Sequence, residues 1–95
     1  MKKFVLMHIG FEKPTEEIMA AWNSWFEKAG PQTVENIGYF MKGKEITHSG
    51  TTDLSLGLDA ITGLTVITAD SFEDACALAA ENPFISAIRV YEIQS

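Results

Sequence analysis

Two groupings of residue types in this sequence are equipped for chemistry. The first is His48 with Thr51, Thr52 and Asp53, and with Asp59 further along. A carboxylate beside an imidazole orients the ring and tunes its pKa toward neutrality, the minimum equipment for general acid/base work. Asp and Thr are also ordinary turn formers that bond their own backbone, which is the structural alternative. The second grouping depends on strand pairing. Residues 4–9 form a short apolar run holding His8, and residues 87–93 alternate like a strand. Set antiparallel with Phe4 opposite Ile93 and Leu6 opposite Tyr91, they bring His8 opposite Arg89. With His8 or His48 as base, Arg89 as anion clamp, and Tyr91, Thr51 and Thr52 as ligand-binding groups, such a site suits a small anionic or phenolic molecule. A slip of one residue would turn one strand's side chains to the other face. The alternative there is a satisfied interfacial histidine and an arginine reaching to water.

Other chemistries find little support. Two histidines forty residues apart make no metal-ligand set. No glycine-rich phosphate loop, nucleophile elbow or Walker sequence occurs, and no organic cofactor is expected. The one cysteine, Cys76, has no partner for an internal disulfide and lies on an apolar helical stripe, where a small buried core residue is expected.

The elements that must position these groups are clearest over residues 63–93. Residues 64–69 are rich in β-branched side chains and read as an inner strand. Ser71 is placed to cap a helix over 71–81 by accepting from the Asp74 amide, and Phe72, Ala75, Cys76 and Ala79 form its apolar stripe. Asn82 suits a left-handed stop and Pro83 cannot continue a helix. The run 4–9 is expected to be a strand buried on both faces. Thr15 caps a first helix whose stripe is Ile18, Trp22, Trp25, Phe26 and Ala29, ended by Gly30-Pro31. Two tryptophans on one helix serve either as core or as a ligand platform, and the spacing favours core. Residues 34–40 read as a strand with a bulge at Gly38, Lys42-Gly43-Lys44 as a turn, residues 45–48 as a short continuation, and residues 49–62 as a long loop pinned by its leucines. The order β, α, β, β, α, β predicts a ferredoxin-like α+β sandwich: an antiparallel four-stranded sheet, both helices on one face, the first strand between the third and the fourth. If Val5, Met7, Ile9, Ile88 and Val90 face the helices, the uncovered face carries Phe4, Leu6, His8, Arg89, Tyr91 and Ile93, enough apolar area to predict a face-to-face homodimer.

Composition narrows the partners. The 95 residues hold 13 acidic and 7 basic side chains, a net charge of −6. The lysines are scattered, so neither nucleic acid nor an anionic membrane has an electrostatic footprint to bind. The apolar run at the amino terminus is interrupted by His8 and Gly10 and is too short for a signal peptide; no stretch approaches the ~20 apolar residues of a membrane span. A cytoplasmic single domain, 1–95, is expected.

The strand Lys3-Phe4-Val5-Leu6-Met7 resembles the opening of the YCII-related family, a group of small dimeric α/β-barrel proteins. So do Thr62-Gly63 leading into residues 64–69, Asp70-Ser71-Phe72-Glu73-Asp74-Ala75, Glu81-Asn82-Pro83-Phe84 and Val90-Tyr91-Glu92. The resemblance implies two sheets packed face to face with small molecules entering between or beside them. It also implies, for some members, an acid/base pair of a first-helix histidine and an aspartate. Met19 stands at that histidine's place here, so the pair does not carry over. Two functions follow as expectations: a cofactor-independent isomerase or lyase acting by proton transfer on a small anionic or phenolic metabolite, or a non-catalytic dimer that binds a metabolite or protein partner.

Overall fold

The computed structural model describes residues 1–94. Its elements run β1 (Lys2–Ile9), α1 (Glu16–Ala29), a 3-10 turn (Gly30–Gln32), β2 (Thr33–Gly38), β3 (Gly43–Thr47), β4 (Gly50–Leu54), β5 (Ile61–Ala69), α2 (Phe72–Ala80) and β6 (Ala87–Ile93). Four strands form an antiparallel sheet in the order β2-β5-β1-β6, and β3 and β4 form a separate two-stranded hairpin. Counting only the strands of the main sheet, β1 lies between the third and the fourth. This is the ferredoxin-like α+β fold expected from the order of elements.

Local chemistry accounts for the helices. Thr15 Oγ1 accepts from the Ile18 amide at 3.2 Å, and Glu16 and Glu17 put negative charge on the first turn of α1. Ser71 Oγ accepts from the Asp74 amide at 3.1 Å at the start of α2. Trp25 and Ala29 are buried, Trp22 and Phe26 half-buried, and the Trp25 indole donates to the Leu78 carbonyl at 3.0 Å, tying α1 to α2. The buried stripe of α2 is Ala75, Leu78 and Ala79; Phe72 is exposed on one side and Cys76 only half-buried. Asn82 does not take the left-handed conformation. The helix stops through Glu81 in the right-handed region, and the Asn82 amide nitrogen donates to the Ala79 carbonyl.

The register of β1 against β6 corrects the faces. Phe4 pairs with Glu92, Leu6 with Val90, Met7 with Arg89 and His8 with Ile88, one residue away from the expected pairing. Phe4, Leu6 and His8 therefore face the helices, where the Phe4 ring meets Phe72 and His8 meets both tryptophans. Val5, Met7 and Ile9 lie on the open face with Arg89, Tyr91 and Ile93 and are half-buried, so β1 is not buried equally on both faces. The core is Phe4, Leu6, Trp25, Ala29, Ile67, Ala69, Ala75, Leu78 and Ala79. Leu64 and Val66 of β5, which pair with Met7 and Val5, extend the open apolar face.

Between β2 and β5 the structure departs from expectation twice. The β2 irregularity falls between Thr33 and Glu35, and Gly38 pairs regularly with Gly63. Residues 49–62 are not one loop. Gly43 and Lys44 begin a strand, and β3 and β4 pair from Thr47–Gly50 down to Gly43–Leu54 around a turn at His48-Ser49. Both hairpin strands are exposed almost throughout, and the hairpin forms a sheet separate from the main one. The segment after β4 is held by backbone bonds, Gly10 amide to Ala60 carbonyl and Phe11 amide to Gly57 carbonyl, each 2.8 Å. Leu54, Leu56 and Leu58 remain exposed.

Candidate functional site

A cavity of about 340 Å³ opens between α1 and the end of the sheet where β1, β2 and β5 meet. His8 and Thr65 lie in its floor, Ile18, Trp22 and Phe26 line the helix side, and Glu12 and Tyr39 stand at its margin. The sequence builds this space by omission. Gly38, Gly63 and His8 share one rung across three adjacent strands, so two of its three positions have no side chain. Gly63 is obligatory: a Cβ there would lie 2.7 Å from the Ile37 carbonyl oxygen. A glycine inside a strand marks a close approach of backbone or ligand, and the pair Gly38 and Gly63 was the signal in the sequence that could have located the cavity.

His8 is 7% exposed, and its Nε2 lies 2.9 Å from Thr65 Oγ1. Its Nδ1 has no partner within the protein. Burial lowers the imidazole pKa from 6.5 to about 4, so the ring is neutral at physiological pH. Trp22 meets it edge-on with centroids 5.0 Å apart, and Trp25 does so from 6.3 Å. The two tryptophans thus divide the roles the sequence left open, Trp25 as core and Trp22 as cavity wall.

The other sequence-identified residues lie elsewhere. Arg89 and Tyr91 are on the open sheet face, opposite to His8, and the expected His8–Arg89 pair is replaced by His8–Ile88. The cause is the one-residue difference in register, which flips β1 relative to β6. His48 occupies the exposed hairpin turn; Thr51, Thr52 and Asp53 are exposed on β4. Asp53 forms an ion pair with Lys44 across the hairpin at 3.0 Å, four rungs from the turn. Neither His48 nor Asp53 lines the cavity. Among the described residues no group of three or more His, Cys, Asp or Glu side chains is gathered to hold a metal, and no helix is long and apolar enough to cross a membrane.

The fold and site define a small ferredoxin-like α+β protein with a ligand-sized cavity between a helix and its sheet. Among solved structures the chain is similar to 5-chloro-2-hydroxyhydroquinone dehydrochlorinase (TftG) from Burkholderia phenoliruptrix AC1100, in complex with 2,5-dihydroxybenzoquinone. The likeness covers 97% of this chain and 93% of that one, with a TM-score of 0.57 and 11% identity, and at that identity it is a likeness of fold. No family model matches the chain, and no curated protein matches it in sequence.

Proposed function

We propose that the cavity beneath α1 binds a small hydroxylated aromatic metabolite, and that the protein acts on it by proton transfer without an organic cofactor, as an isomerase or lyase. The observation that carries this reading is the buried His8–Thr65 pair flooring a space of about 340 Å³, within the range of small-molecule sites and walled by aromatic side chains. A flat ring fits between Trp22, Phe26 and the glycine rung. A neutral imidazole can take a proton from a ring hydroxyl and return it to a ring carbon, so His8 is the residue we assign to acid/base relay. The dehydrochlorinase of similar fold acts, by its name, on a chlorinated hydroxyhydroquinone, which supports a phenolic compound here.

The protein is further read as a cytoplasmic, single-domain homodimer of the YCII-related kind, joined through the open sheet face. His48 and Asp53 enter the site only through a second copy, since the hairpin that carries them stands apart from the cavity of its own chain. A second function, binding without turnover, is favoured by one observation: a pKa of about 4 makes His8 a weak base at neutral pH.

A thermal-shift screen against phenols, catechols and hydroquinones, followed by spectrophotometric assay of each hit, separates the two. A compound that stabilises wild type and is converted, with conversion falling at least roughly a hundredfold in His8→Ala, is the expected result. Stabilisation without conversion leaves the binding function. Unchanged turnover in His8→Ala would remove His8 from the chemistry.

A further inference from the structure

The cavity carries a statement about the charge of its occupant. Its titratable lining groups can be named element by element: His8 from β1, Glu12 from the segment after it, and Tyr39 from the segment after β2. The α1 side adds Ile18, Met19, Trp22, Asn23 and Phe26, and β5 adds only neutral residues. Among the described residues the lining holds no lysine or arginine, and its one charged group is a carboxylate. The chain as a whole carries a net charge of −6. Arg89, the cation best placed by sequence to meet an anion, lies on the other side of the sheet.

We propose that the cavity selects the neutral, protonated hydroxyl form of an aromatic ligand and rejects its phenolate or carboxylate. This deepens the proposed function and rests on it. An ionised oxygen entering this space would lose its hydration against aromatic walls and gain no counter-charge, a cost that rises steeply for an isolated charge. A neutral hydroxyl meets a matched pair instead. Whichever way the proton lies between His8 Nε2 and Thr65 Oγ1, 2.9 Å apart, the threonine oxygen keeps capacity for a second bond, while the ring's Nδ1 is buried away from the open space. The threonine oxygen can therefore accept from a neutral hydroxyl, whereas a phenolate has no proton to give. The amides of Asn23 and Asn36 add further neutral partners toward the opening.

Equilibrium dialysis with simple probes tests this on the intact protein. The affinity of 4-nitrophenol is measured on both sides of the pH at which that compound ionises, with phenol, which stays neutral over the same interval, as the control for titration of the protein. We expect 4-nitrophenol to weaken roughly tenfold or more as it ionises, about 1.4 kcal/mol by the affinity conversion, while phenol stays constant. 4-Hydroxybenzyl alcohol should bind and 4-hydroxybenzoate should not. Phenol should bind better than anisole, which cannot donate, and Thr65→Val should erase that preference. Equal or tighter binding of the nitrophenolate or of 4-hydroxybenzoate overturns the inference while leaving the cavity reading intact. Failure of every probe to bind wild type overturns both.

Discussion

His8 Nε2 and Thr65 Oγ1 sit 2.9 Å apart on adjacent strands, two rungs out of line, since His8 pairs with Gly63 and Thr65 with Leu6. Both residues are buried, and this bond is the one partner the imidazole has. Thr65→Val keeps the shape and removes the hydroxyl, leaving both ring nitrogens unpaired. Such a buried group costs about 1–3 kcal/mol. Urea denaturation should show a loss of that size for Thr65→Val. The double variant His8→Phe/Thr65→Val should lose less than the two single losses combined, because no polar group is then stranded.

Stability should depend on pH through His8. In the unfolded chain the imidazole binds a proton below its ordinary value of 6.5, whereas in the folded protein it does so only below about 4. Between these values the unfolded state holds more protons, so unfolding free energy rises with pH. The contribution is fully present above 6.5 and is lost as pH falls toward 4, a span worth roughly 3 kcal/mol. Carboxylates titrate in part of the same window, so the quantity to measure is the difference between wild type and His8→Phe. That difference should change with pH below 6.5 and flatten above it; a constant difference would place the histidine in water.

The glycine rung gives a paired test. Gly63→Ala would set a methyl 2.7 Å from the Ile37 carbonyl oxygen, an overpacking that should cost about 1–3 kcal/mol and loosen β2 from β5. A Cβ at Gly38 would meet the Thr62 carbonyl oxygen at 3.4 Å and the Gly63 Cα at 3.5 Å, tight on the first side and ordinary on the second. Gly38→Ala should therefore keep most of the wild-type Tm while narrowing the cavity, and it should weaken phenol binding more than it weakens the fold.

The sequence conveyed order better than facing. Thr15 and Ser71 announced both helix starts because capping is a local matter of one side chain and one amide. Residues 4–9 could not reveal their facing, since apolar residues stand at both parities and a period of two has nothing to register against. What decided it was distant: Trp22 and Trp25 receive His8 edge-on, so the polar residue of the run went under the helix. The β3–β4 hairpin was hidden for the converse reason. Lys44, Glu45, Thr47, Thr51, Thr52 and Asp53 put polar groups on both faces, and a strand without alternation reads as loop. The cavity stayed out of view because the two glycines that open its floor, Gly38 and Gly63, meet only through the pairing of strands distant in sequence.

The open face supplies the last prediction. Met7 sits there between Leu64 of β5 and Arg89 of β6, and Val5 between Val66 and Tyr91. Ile37, 43% exposed, continues the patch onto β2 from its pairing with Leu64. On a monomer, a lysine in place of Met7 or Val66 would meet water and cost little. In a dimer joined through this face it would be buried opposite apolar side chains, where an unpaired charge costs several kcal/mol and binding falls by a factor of a hundred or more, on the order of 3 kcal/mol. Sedimentation velocity at micromolar concentration should therefore find wild type as a dimer and Met7→Lys and Val66→Lys as folded monomers, with circular dichroism confirming the fold of each. Glu45→Lys, on the exposed hairpin, changes charge by a larger amount and should leave the dimer in place if the sheet face alone joins the copies. A wild type that sediments as a monomer would end the face-to-face reading. It would leave the cavity under α1 untouched, since every residue that floors that cavity belongs to one chain.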